Sequence, residues 1–159
     1  MTAARTGLPA RAGQRGGAAV EFAFVFPCLF LLMNGVIVYY YLFVLQESLN
    51  FAAQEAAEAA VAVDASQTGY QNLVQSRARQ SAVLVLGWLP EAQKARVLGA
   101  NGEKVSVAFS TSADQPLTSV VTVTINYEVE GLFPVLNLYF VGDIPPLPAQ
   151  LTARAAVRI

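Results

Sequence analysis

Histidine is absent from this 159-residue chain and cysteine occurs once, so the commonest general base is missing and no intramolecular disulfide can form. Charge is scarce as well. Charged residues make up 13% of the chain and hydrophobic ones 55%, where soluble proteins carry about 25% and roughly 45–50%. That imbalance asks for a membrane. No lysine or arginine occurs between Arg15 and Arg77. Asp64, Asp114 and Asp143 stand in separate turn-like contexts without metal-ligand spacing, and no glycine-rich loop follows a strand and opens a helix. The expectation is therefore no catalytic centre, no metal and no cofactor. A net charge of −1 gives no reason to expect nucleic acid as a partner.

What the sequence does contain is one long apolar run. Between Glu21 and Glu47 no residue is charged, and the stretch Phe22 to Leu45 exceeds the roughly 20 residues that a helix needs to cross a bilayer. Arg5, Arg11 and Arg15 flank its N-terminal side, so the positive-inside rule puts the N-terminus in the cytoplasm and the bulk of the chain outside it. Tyr39, Tyr40 and Tyr41 suit the far interfacial belt. A cleavable secretory signal fits poorly. Its apolar core is about 7–15 residues and ends in small residues, whereas Leu42, Phe43, Val44 and Leu45 are bulky. Pro27 and Asn34-Gly35 inside the run are expected to kink the helix rather than end it. Cys28 reads as a small apolar packer.

Just before the run stands Arg15-Gly16-Gly17-Ala18-Ala19-Val20-Glu21-Phe22. A carboxylate at the edge of lipid is costly, by about 2.5–3.5 kcal/mol at a helix centre and less near the interface. The residue can also be read as an interfacial acid favoured by the helix dipole. With its neighbours the segment resembles the processing site of type IV prepilins, and especially of the TadE-like family of the tight-adherence (Tad) pilus. The resemblance rests on a basic leader ending in Gly, four intervening residues, Glu followed by an aromatic, then the span, and continues to about Val61 through Pro27, Gly35 and an alanine-rich stretch.

That resemblance implies a minor pseudopilin without enzymatic activity. A prepilin peptidase would cut between Gly16 and Gly17, with Arg15, Glu21 and Phe22 as the processing and assembly motif. Glu21 would then pair with the new amine of Gly17 or with a neighbouring subunit. Removing the three leader arginines from the ten basic residues would leave seven against eleven acids, a formal −4. The partners implied are the bilayer, other pilins and pseudopilins and the assembly platform, in the inner membrane or in a pilus. Pro27, Phe51, Leu132, Phe133, Leu138 and Phe140 are the candidate subunit contacts. The alternative from the residues alone is an unprocessed, single-span protein that binds a partner outside the cytoplasm.

Three regions follow: a leader over 1–16, an N-terminal helix over 17–63 and an α+β domain over 64–159. Within the helix, Leu45, Leu49, Ala52, Ala56, Ala60 and Val63 form a narrow stripe at helical spacing, opposite Glu47, Asn50, Gln54 and Glu58. The stripe is expected to meet the chain's own domain, and Phe51 lies on the opposite, polar side. A second helix is expected from Thr68, with Thr68 and Gln71 as a capping box, to about Leu86. Residues 96–100 and 103–109 should form a hairpin about Asn101-Gly102. Two further strands alternate clearly, Ser119–Val129 and Gln150–Ile159. Together they suggest an antiparallel sheet of three or four strands packed on helices. Gly131 to Pro148, apolar but interrupted by prolines, is expected to be a long hydrophobic loop that covers the core.

Overall fold

The computed structural model describes residues 15–112, 115–132, 136–138 and 142–158. The fold is mixed α+β, as expected. A long helix α1 (Arg15–Val61) is followed by α2 (Tyr70–Val85), a 3-10 turn (Leu86–Trp88), α3 (Glu91–Leu98), and strands β1 (Ser106–Ser112), β2 (Gln115–Glu128), β3 (Leu136–Leu138), β4 (Gly142–Ile144) and β5 (Gln150–Arg158). The chain divides into two compact units, up to Ile37 and from Val38 onward.

In the first unit α1 stays helical through Pro27 and through Asn34-Gly35. Its apolar side chains point outward. Phe22, Phe24, Leu29, Leu32 and Val36 are each 60% exposed or more.

In the second unit the sheet has the order β1-β2-β5, antiparallel throughout. Its central strand β2 explains the layering. Val121, Val123, Ile125 and Tyr127 are buried and Val129 continues their alternation, while Asn126 and Glu128 are exposed. One face of the sheet thus closes on the helices. The helical side of this core is the expected α1 stripe, with Leu45, Leu49, Ala52, Ala56 and Ala60 all fully buried and Val63 partly so. Ala53 and Ala57 widen it, and small side chains allow the close approach. Val74, Ala78 and Ala82 supply the facing side of α2.

The structure corrects three local expectations. Residues 96–98 belong to helix α3, not to a strand. Pro90 precedes that helix, Glu91 and Lys94 pair across one turn at 2.9 Å, and Val97 and Leu98 are buried. The Asn101-Gly102 pair makes no hairpin. Gly102 takes a φ of 76° and lies so close to α2 that a Cβ would stand 3.2 Å from Val83 Cγ2 and 3.3 Å from Arg79 Cβ. The observed hairpin joins β1 to β2, so the first strand starts later than expected. Finally, Thr68 caps nothing. Gly69, with a φ of 79°, occupies the N-cap position of α2 and no side chain bonds to the helix start there. The expected loop from Gly131 contains a short two-stranded pairing, Leu136 to Ile144, Asn137 to Asp143 and Leu138 to Gly142.

Candidate processing and assembly site

Helix α1 begins at Arg15, so Gly16 and Gly17 occupy its first turn. Both are exposed, and a Cβ on either would meet nothing within 4 Å. Glycine costs a helix roughly 1 kcal/mol relative to alanine, so two in succession make this turn easy to unwind. Glu21 is exposed one turn further on and forms no ion pair among the described residues. The side chain of Arg15 lies outside the described residues.

Beyond Glu21 the helix is apolar on every side. The rings of Phe22 and Phe26 lie 5.5 Å apart and those of Phe26 and Phe30 6.2 Å apart, forming a ladder at i, i+4 spacing. The sequence carries that spacing openly, yet pattern reading for burial passes over it because every neighbour is apolar too. The region Gly16–Val61 is the one helix among the described residues long and apolar enough to cross a membrane, with a mean hydropathy of 2.2 over its most apolar window. Pro27 and Cys28 are exposed within it.

The end of the apolar run behaves differently. Val38 and Leu42 are 5% exposed and Leu45 is fully buried, all in the core of the second unit. Tyr41 donates its hydroxyl hydrogen to Gln93 Oε1 at 2.9 Å, and Tyr39 donates to the carbonyl of Pro146 at 2.7 Å. Gln46 Nε2 reaches Asn50 Oδ1 and the carbonyl of Thr152, each at 3.2 Å. Tyr40 and Phe43 are left exposed on the other side of the helix.

The remaining candidate contacts are scattered. Phe51 is 54% exposed on α1, on the side away from the core, where the sequence places it. Leu132 is partly buried and packs against the core. Leu138 lies in β3, its side chain outside the described residues, as are Phe133 and Phe140 altogether. Among the described residues no three His, Cys, Asp or Glu side chains come together to hold a metal ion.

Comparison with known proteins gives one match. Residues 16–58 fit the model of the TadE-like protein family, covering the candidate cut, the apolar run and most of the alanine-rich stripe. No curated protein and no solved structure matches the chain significantly. The family segment ends within α1, before α2 and the sheet begin. Over this segment the chain is similar to TadE-like proteins, the family associated with the tight-adherence pilus.

Proposed function

We propose that the chain is a minor pseudopilin, a structural and assembly subunit of a Tad-type pilus or a related secretion apparatus. It is made with a cytoplasmic leader, residues 1–16, that a prepilin peptidase removes. It crosses the inner membrane once and presents its α+β part outside the cytoplasm. The observation that carries this reading is Glu21, an exposed carboxylate without an ion pair among the described residues, near the start of an all-round apolar stretch and five residues beyond Gly16. Cleavage after Gly16 would place an ammonium group within reach of the same membrane interface. In a medium of low dielectric such a pair gains much more than in water, and either charge alone is penalised.

The burial of Val38, Leu42 and Leu45 in the core of the second unit supports a lipid-embedded part that runs from about Gly17 to Ile37, shorter than the apolar run itself. That is about 21 residues, or roughly 31 Å at 1.5 Å per residue, which matches a hydrocarbon core of about 30 Å.

The test is the intact mass of the membrane-extracted protein from cells with active prepilin peptidase. A mature start at Gly17 is the expected result, and retention of residues 1–16 leaves the unprocessed anchor. Glu21→Ala should insert normally and be lost from assembled pili or pilin complexes. Full assembly of that variant removes the role given to the carboxylate.

A further inference from the structure

The exposed large apolar side chains of the second unit all lie on α1, α2 or the 3-10 turn, and none lies on a described strand. The helical layer is therefore apolar on its outward side as well as toward the core. On α1, Phe43, Glu47, Phe51 and Glu58 follow one another at spacings of four, four and seven, all exposed. Helix α2 carries a matching line. Arg77, Leu84 and, in the 3-10 turn, Trp88 are exposed, away from Val74, Ala78 and Ala82, which face the core. The two helices run in opposite directions. Arg77 lines a cleft with Ala59 and Ala62 near the end of α1, while Gln93, beyond the end of α2, is bonded to Tyr41 near the start of the unit. Arg77 is thus level with Glu58. Seven residues on from Arg77 and seven back from Glu58, about 10 Å along each helix, Leu84 is level with Phe51. Trp88 then falls level with Glu47, one turn from Phe43. Charge divides between the helices. From Val38 to Val61 α1 carries Glu47, Glu55 and Glu58 and no lysine or arginine, whereas α2 carries Arg77 and Arg79 and no acid. Neither Glu58 nor Arg77 has an ion pair among the described residues.

We infer that this face joins two copies of the chain about a two-fold axis along the helices, with α1 of each copy lying against α2 of the other. Rotation about such an axis keeps every residue at its own level and exchanges the two helices. It sets Glu58 opposite Arg77 of the second copy, Phe51 opposite Leu84, and Phe43 and Glu47 beside Trp88, each contact made twice. Charge selects this pairing over its rival, since α1 against α1 would oppose acids to acids. Exposed ion pairs add little affinity. The apolar rungs supply it, because Phe43, Phe51, Leu84 and Trp88 are each more than half exposed in the single chain and three of them are aromatic. The charges set the register. A two-fold contact is closed, so it pairs subunits without extending a fibre, and the pair has to open before this face can serve in a polymer. All of these residues belong to the second unit, so the pairing holds whether or not the leader is cut.

Cys28 is the only cysteine, so Cys28→Ser gives a full-length chain into which single cysteines can be placed. One version carries Glu58→Cys and another Arg77→Cys. The two are mixed in detergent and oxidised, and the disulfide-linked products are told apart by intact mass. The expected result is a mixed product in large excess over either self-linked one. Phe51→Asp in both versions should lower the yield of the mixed product by about tenfold or more, and at this exposed position it should leave thermal unfolding unchanged. Sedimentation of the parent chain in the same detergent should show a dimer and no larger species. Products in the statistical ratio of random collision overturn the inference, as does a monomeric parent. A predominance of the self-linked Glu58→Cys product means that α1 packs on α1, and a series of species above the dimer means a head-to-tail contact in place of a closed pair. Either result overturns the inference as well. Should Phe51→Asp fail to fold, the disulfide pattern and the sedimentation decide.

Discussion

The two halves of helix α1 are both rich in apolar residues, yet they meet different surroundings. From Phe22 to Ile37 the large side chains stand out on all sides, whereas from Val38 onward one stripe is buried to 5% exposure or less. Hydrophobicity alone does not separate these cases; its distribution around the axis does. An all-round apolar helix has no preferred face and is stable where the surroundings are themselves apolar, while a one-sided helix finds its apolar partner in its own fold. The change occurs inside the uncharged run, without a break in the helix.

The sharpest way to break this contrast is to make the same truncation in each half. Leu49→Ala removes a fully buried side chain from the core and should destabilise the second unit by about 2–5 kcal/mol. Leu29→Ala, at a position 60% exposed, should leave the stability of that unit within about 0.5 kcal/mol. Denaturation of the reconstituted protein, followed by hydrogen exchange in β2, measures both. Equal effects would mean that the first half also packs against protein.

Adding volume gives the converse, with a smaller effect. Ala56 is fully buried among other alanines, so Ala56→Leu should cost about 1–3 kcal/mol through overpacking. At Gly35 an added Cβ meets nothing within 4 Å, and Gly35→Ala should leave the second unit unchanged. Thermal unfolding of the two variants in the same lipid compares them directly.

How much of this was legible follows from how each segment encodes its surroundings. Strand β2 was legible because its buried and exposed residues alternate without exception from Val121 to Glu128 in polarity, and the stripe from Leu45 to Ala60 because its opposite face is polar. Helix α3 was not. Arg96-Val97-Leu98 is too short to show a period, and the following Asn101-Gly102 imitates a hairpin turn whose real function is to let the backbone approach α2. The point where α1 enters the core was hidden for a different reason. Val38 and Leu42 are no more apolar than Val36 and Ile37, and only the tertiary fold decides which of them is covered. The Gly16, Gly17 and Glu21 constellation was visible as a pattern, since it depends on spacing next to a span and not on tertiary contacts.

The core of the second unit offers the finest test. Tyr127 is fully buried there, its hydroxyl oxygen has no hydrogen-bond partner among the described residues, and its ionisation is displaced upward from 10.0. Burial is the main cause, the neighbouring Tyr41 adds to it, and Arg96 opposes it. A folded-state value above the unfolded one means that the fold favours the neutral phenol. That contribution is complete below pH 10.0 and is lost as the pH rises through the higher folded value. Tyr127→Phe removes both the alkaline loss and an unsatisfied polar atom, so it should stabilise the unit by about 1 kcal/mol at neutral pH. It should also flatten the decline in stability above pH 10.0, although the other tyrosines still ionise there. Chemical denaturation of both proteins across that range reads the difference. A variant less stable than the parent at neutral pH would show that the hydroxyl is bonded after all, and that Tyr127 is held by a polar contact within the core.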